Sequence, residues 1–257
     1  MKTMVLKVPR DVTTGSSSVD SSIDSPGSSP VDGLLLVDKP AGMTSHDVVL
    51  IVRRAYGERS IGHLGTLDPF ATGLLVLLLG HSTRLATFIE NEPKVYDATI
   101  RFGAETDTDD CTGAVTRSVD KGAEMPDRDR IADAIQRLTG EIQQVPPAYS
   151  AKKVNGTRAY DIAREGGEVE LPPVPVTVHE WRINDVREQE LDVTIVCGGG
   201  TYIRALARDL GRLTGSAAHL TTLRRTQSGA FHVTDAATMD TIRTTPPPIR
   251  RLRVVAD

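Results

Sequence analysis

Residues 62–73 read Gly-His-Leu-Gly-Thr-Leu-Asp-Pro-Phe-Ala-Thr-Gly, the densest run of conformationally special residues in the chain. Glycine lets a backbone turn sharply or approach a ligand, and Pro69 fixes the geometry directly after Asp68. One carboxylate is thereby held in a set direction. Asp68 has a second reading as a turn residue bonded to its own backbone, as in most Asp-Pro pairs. A second group is Arg204, Arg208 and Arg212, at steps of four on a predicted helix, so that all three project from one face. Arg212 reads as part of a solvated face, and Arg208 is open as a phosphate contact.

Two further patterns carry less. Asp107-Thr-Asp109 is similar to a calcium loop or an aspartate-dependent phosphatase motif. No EF-hand glycine follows and no apolar strand runs into it, so it reads as an acidic loop. Gly198-Gly199-Gly200 lacks the spacing of a dinucleotide-binding turn and reads as permitting close approach near Tyr202.

The elements that must position these residues follow from periodicity. Leu34 to Val37 reads as a buried strand. Thr44 or Ser45 then caps a helix carrying Val48, Val49, Val52 and Tyr56, which Gly57 stops. Gly73 to Gly80 reads as a second buried strand, and Ser82 as the cap of a short helix bearing Leu85, Phe88 and Ile89. Val95 to Phe102 alternates as a half-buried strand. Asp127 caps a helix with Ile131, Ile135 and Leu138 on one face, stopped by Gly140. Strands are predicted at Val174 to Ile183, Leu191 to Cys197 and Ala230 to Val233, with a helix from Thr201 to Leu213. Several strands lie close together with only loops between, which gives an α+β class rather than a parallel wind.

Composition bounds the rest. The chain of 257 residues can bury one sizeable core. Cys111 and Cys197 form neither a disulfide framework nor a zinc site. The start shows no signal-peptide pattern, and the longest apolar run, Leu74 to Leu79, is too short for a bilayer, so a soluble cytoplasmic protein is expected. The net charge of −4 argues against indiscriminate binding to polyanions. Charge is segregated: residues 103–133 hold nine acids and four bases, residues 201–257 nine arginines and four acids. Residues 11–32 carry almost no large apolar side chain and are excluded from the fold.

The loop from Gly62 to Gly73 resembles the signature loop of TruB-type pseudouridine synthases, whose Asp is catalytic. Four other stretches resemble that family's motifs in the family's order. They are Gly33 to Ser45 (Gly-Leu-Leu-Leu-Val-Asp-Lys-Pro-Ala-Gly-Met-Thr-Ser), Lys94 to Gly103 with Thr106 to Asp110, Gly200-Thr-Tyr-Ile-Arg204, and Leu223-Arg-Arg225. The resemblance implies a pseudouridine-synthase fold, a mixed, largely antiparallel sheet flanked by helices and loops with the active-site cleft across it. It implies conversion of uridine to pseudouridine at position 55 of the tRNA TΨC loop.

By position, Asp68 resembles the family's nucleophile or base and Arg204 the arginine that pairs with it, a guanidinium keeping the pKa of a buried carboxylate down. Tyr96 resembles the tyrosine that stacks on the target uracil and helps remove the C5 proton. Tyr202 and Leu223 resemble pocket-lining positions, and His63 the wedge that fills the stack vacated by the extruded base. Lys39 and Pro40 are expected to shape the opening loop without chemistry of their own. No cofactor and no metal are implied, and tRNA is the expected partner of a monomer with no obligatory protein partner.

Three segments are therefore expected: an extension over 1–32, a catalytic domain over 33–235, and a short basic tail over 236–257. Beyond Phe231 too little chain remains for the C-terminal PUA RNA-binding domain of many relatives. The basic segment Arg250 to Arg253 is expected to substitute for it in part. A non-catalytic RNA chaperone and a phosphohydrolase built on Asp107 are the rival classes, and the guide-RNA-directed synthase of H/ACA particles is the rival within the class.

Overall fold

The computed structural model describes residues 31–119, 125–150, 152–154, 157–159, 162, 167 and 171–250. Residues 1–30 of the expected extension, and Arg251 and Arg253 of the expected basic tail, lie outside the described residues.

In chain order the elements are β1 (Gly33–Lys39), α1 (Ser45–Tyr56), β2 (Ile61–His63), β3 (Thr72–Leu79) and a 3-10 helix (Gly80–Phe88). Then come β4 (Lys94–Phe102), β5 (Ala104–Thr106), β6 (Val115–Ser118), α2 (Arg128–Arg137) and β7 (Gly140–Gln144). Two short strands, β8 (Lys153–Val154) and β9 (Thr157–Arg158), precede the hairpin of β10 (Val174–Arg187) and β11 (Glu190–Cys197). After them lie α3 (Ile203–Leu213), β12 (Ala218–Ser228), β13 (Phe231–His232), a 3-10 turn (Val233–Asp235), β14 (Ala237–Thr238) and α4 (Met239–Thr244). The class is α+β, as expected. Among the described residues no helix is long and apolar enough to cross a membrane.

Where one domain over 33–235 was expected, the chain gathers into two compact units. One comprises Met1–Pro69, Gly73–Glu90 and Phe231–Asp257, the other Phe70–Thr72 and Asn91–Ala230. In the first unit β1 and β3 pair antiparallel, Leu34 opposite Leu78 and Leu36 opposite Val76, while β2 adds to β3 and β14 runs parallel to β1. Nearly every residue of β1 and β3 is buried, on both faces. Such strands read as unbroken apolar runs rather than alternations. Their side chains form a core of their own with Leu64, Ile89 and Phe231.

Helix α1 starts in a capping box, in which the Thr44 hydroxyl accepts from the Asp47 amide and the Asp47 carboxylate accepts from the Thr44 amide. Gly57 ends it in the left-handed region. The next segment departs from expectation. It is a 3-10 helix from Gly80 with no side-chain cap, and Ser82 is buried inside it. Three residues per turn change the phase of the apolar positions. Ile89 reaches the core while Phe88 is left 52% exposed.

The expected tail is a folded part of this unit as far as Arg250. Helix α4 buries Met239 and Ile242, Leu34 and Arg250 exchange backbone hydrogen bonds of 2.8 and 3.0 Å, and the Tyr56 hydroxyl donates to the Pro247 carbonyl at 2.6 Å. The Arg250 guanidinium donates to the Asp235 carbonyl at 3.1 Å and lies 3.8 Å from its carboxylate. A two-residue strand and a six-residue helix are too short to announce themselves by periodicity.

The second unit is built on an antiparallel sheet in the order β12-β4-β11-β10-β7. Strands β4 and β11 alternate, placing Tyr96, Ala98, Ile100 and Phe102 beside Leu191, Val193, Ile195 and Cys197. Helix α3 packs on β12, and Gly211 permits the approach: a Cβ there would lie 2.5 Å from the Ala218 amide nitrogen.

Candidate active site

In the first unit, Asp68 is half-buried rather than on the open surface, and the residues on both sides of it are fastened. The Ser45 hydroxyl, itself buried at the start of α1, meets both polar groups of Leu67, 2.9 Å from its amide nitrogen and 3.1 Å from its carbonyl oxygen. The Pro69 carbonyl accepts from the Gly42 amide at 2.8 Å and from the Lys39 ammonium at 3.4 Å. Gly65 turns the chain at φ +82°, and Leu64 and Leu67 anchor the loop in apolar surroundings. The carboxylate therefore projects from a backbone with little freedom to reorient, as catalytic positioning requires. His63 ends β2 opposite Leu77, on the same stretch of chain.

Lys39 shapes the opening loop, as the sequence suggested, and does so as a wholly buried ammonium. It also donates to the carbonyls of Pro40 at 2.9 Å and Met43 at 2.7 Å. Burial pulls its pKa down to about 8, against the opposing pull of the Asp68 and Asp47 carboxylates.

In the second unit the sheet brings Tyr96 and Leu223 onto one face. Tyr96 stands opposite Arg225 of β12 and Ile195 of β11, and the next inward pair is Ala98 with Leu223. All are buried. Tyr202 and Arg204 open α3. The Gln144 side chain fixes this entry by accepting from the Tyr202 amide at 2.9 Å and donating to its carbonyl at 3.1 Å.

Of the arginine stripe of α3, Arg204 and Arg208 are buried and Arg212 is exposed. Arg204, 4% exposed, donates to the Thr108 carbonyl at 2.7 Å and the Tyr149 carbonyl at 3.0 Å, with Asp110 3.8 Å from its Nε. Arg208, one turn on, donates to Asp109 at 2.9 Å, to Asp209 at 2.9 Å and to the Val145 carbonyl at 2.8 Å. Arg212 grips both oxygens of Glu105, which also accepts from Arg117 at 2.6 Å. The phosphate reading of Arg208 is thus corrected, while Arg212, exposed over 55% of its side chain, keeps its place on the solvated face. The reason is the segregated charge seen in the sequence: the acidic stretch near residue 105 folds onto the basic helix.

The two buried carboxylates respond differently to that setting. Burial pushes Asp109 up to about 6 despite Arg208 and Arg204. At Glu105 burial also pushes upward, but hydrogen bonds from Arg212 and Arg117 outweigh it and hold the group below its ordinary value. Asp107 takes part in its own turn, accepting from the Ala114 amide at 2.9 Å.

Sequence reasoning missed Ser45 as a brace, Gln144 as the clamp on Tyr202, and the burial of Asp109 and Asp110. Only the last had a signal, the Thr106-Asp-Thr-Asp-Asp110 run.

Residues 53–203 match the model of the TruB family pseudouridylate synthase (N terminal domain), and residues 204–245 that of the tRNA pseudouridylate synthase B C-terminal domain. The tRNA pseudouridine synthase B of Arthrobacter sp. (strain FB24) is 50% identical over 216 residues, covering 82% of this chain and 70% of that one. The protein of the same name from Leifsonia xyli subsp. xyli (strain CTCB07) is 52% identical over 215 residues, covering 82% and 71%. Among solved structures, a chain of a Cbf5-Nop10-Gar1 complex superposes with a TM-score of 0.62 at 26% identity, over 82% of this chain and 53% of that one. An H/ACA RNP bound to a substrate RNA containing 2′-deoxyuridine gives 0.58 at 24% identity, over 81% and 51%. The chain thus spans about half the length of those solved chains. With the family model covering more than half of its residues and curated relatives at half identity, the chain belongs to the TruB family of pseudouridylate synthases.

Proposed function

We infer that this protein isomerises uridine to pseudouridine in tRNA, at position 55 of the TΨC loop. The family match over residues 53–203 carries the reading, and the doubly fastened loop around Asp68 supports it. The target base is everted from the loop. The C1′–N1 bond breaks, the uracil turns, and a C1′–C5 bond forms. The hydrogen on C5 leaves as a proton and N1 gains one, so nothing is oxidised or hydrolysed and no cofactor or metal is needed.

Asp68 is the carboxylate of that chemistry and Arg204 its guanidinium partner. Tyr96 stacks on the uracil and assists loss of the C5 proton, Tyr202 and Leu223 line the base pocket, and His63 fills the stack vacated by the base. The protein works on tRNA in the cytoplasm as a monomer without an obligatory protein partner.

The test is tritium release from tRNA labelled at uridine C5. Asp68→Asn is expected to lower the rate by at least about a thousandfold, the scale on which losing an essential catalytic group acts. Equal release from wild type and variant overturns the assignment.

A further inference from the structure

We propose that Arg208 is a positioning residue for the isomerisation, acting through the Thr108–Asp110 turn and the Val145–Tyr149 segment on the guanidinium of Arg204. The proposal rests on the role given to Arg204 above.

Arg204 and Arg208 stand one turn apart on α3 and bridge the same two stretches of chain. Arg204 takes the Thr108 and Tyr149 carbonyls, and Arg208 takes the Asp109 carboxylate and the Val145 carbonyl. Asp109 lies between the two residues of the turn that face Arg204, Thr108 through its carbonyl and Asp110 through its carboxylate. Its backbone is left-handed, at φ +60°, a costly state for a residue with a Cβ. The turn is pinned by the Asp109 amide donating to the Thr106 carbonyl at 3.1 Å, by the Leu220 amide donating to the Asp109 carbonyl at 3.1 Å, and by Arg208 on the side chain. The Thr106 and Thr108 hydroxyls tie the Asp110 end of the turn, and Arg208 holds the Asp109 side chain, so removing the guanidinium frees the middle of the turn and moves the acceptors of Arg204 with it.

A direct contact of Arg208 with RNA phosphate does not fit. Its side chain is 9% exposed, and each of its three nitrogens already donates, Nε to Asp209, one terminal nitrogen to Asp109 and the other to Val145. A surface role in solubility does not fit either, because a buried cation is retained only where it is paired.

The experiment measures single-turnover tritium release, tRNA affinity and melting temperature for wild type, Arg208→Gln, Arg208→Lys, Asp109→Asn and Arg204→Lys. Arg208→Gln is expected to slow release by about tenfold to a hundredfold, the scale on which misplacement of a catalytic group acts, while affinity stays within about twofold. Arg208→Lys restores part of the rate, and Asp109→Asn, nearly isosteric and tested even if Arg208→Gln does not fold, slows release in the same direction. A normal rate in folded Arg208→Gln or in folded Asp109→Asn overturns the proposal, as does a change confined to affinity and its salt dependence, the mark of a phosphate contact. If wild type itself releases no tritium, the reading of function fails. If Arg204→Lys keeps the wild-type rate, the role of Arg204 fails, and this proposal with it.

Discussion

The Asp68 loop and the face of α3 both hold a charged side chain in place, by opposite means. On either side of Asp68 the acceptors are carbonyls and the Ser45 hydroxyl, and the donors are that hydroxyl, the Leu67 and Gly42 amides and one ammonium. Along α3 a guanidinium row meets the Asp110, Asp109 and Glu105 carboxylates, with the Thr108, Tyr149 and Val145 carbonyls as further acceptors. A carbonyl does not titrate, so acid leaves the first brace untouched, and only Lys39 gives it a pH limit, near 8. The second brace has its limit at the other end, near 6, where Asp109 takes up a proton. Lys39 and Asp109 are both charged only between those limits.

The strongest way to break this contrast is Lys39→Met. The side chain keeps its volume but leaves three carbonyls without their ammonium donor. A loss of up to about 3 kcal/mol is expected in urea unfolding, the upper end of the scale for leaving hydrogen-bond acceptors unsatisfied. In whatever fraction stays folded, tritium release falls, because Pro69 beside Asp68 keeps only the Gly42 amide of its two donors.

The pH dependence of stability sharpens it next. Asp109 has a folded pKa of about 6 against an ordinary value of 3.8, so between those pH values the native state holds a proton that the unfolded chain has lost. Stability from this group is therefore greatest near pH 4, declines as pH rises toward 6 and stays low above it. Two pKa units correspond to about 3 kcal/mol. Unfolding free energies of wild type minus Asp109→Asn, taken from pH 4 to 7, should fall by up to about that amount. A flat or rising difference contradicts the burial-dominated shift. Glu105 has the opposite sign, contributing stability above its unfolded pKa and losing it as pH falls. It is present in both proteins and cancels.

The same contrast governs what the sequence could reveal. The Gly62 to Gly73 loop was legible because rigid backbone is written in glycine and proline, and β1, α1, β3, β4, β11 and α3 were legible because their apolar pattern is unbroken. Strand β12 was not. Register shifts between Leu220 and Thr222 and between Arg225 and Gln227 break its alternation twice. An extra residue at each break defeats a pattern of period two. Gly140, expected only to stop a helix, also starts β7 at φ +91°. The partners of the arginine stripe were hidden because the two stretches lie about a hundred residues apart and join only through tertiary packing.

Ser45→Ala is the third and milder perturbation. It removes a buried hydroxyl that serves the amide and the carbonyl of Leu67 together, and both become unsatisfied. A cost of about 1–3 kcal/mol is expected, with a loss of turnover larger than the change in tRNA affinity. Release at the wild-type rate in a destabilised protein shows that the Pro69 side alone holds Asp68.

The smallest effect is predicted where the ladder looks most alike on paper. Arg212 continues the spacing of Arg204 and Arg208 and makes a two-pronged contact with Glu105, yet its side chain is 55% exposed and Glu105 keeps Arg117 as a second partner. Solvent screens an exposed ion pair, so Arg212→Gln should cost no more than about 1 kcal/mol, and less in high salt. Tritium release should stay near the wild-type rate, since Arg212 makes its hydrogen bonds to Glu105 and none to the Thr108–Asp110 turn. Equal losses for Arg212→Gln and Arg208→Gln, measured by denaturant unfolding and single turnover in low and high salt, mean that the three arginines act as one electrostatic unit. The division between a screened rung and two buried ones would then be abandoned.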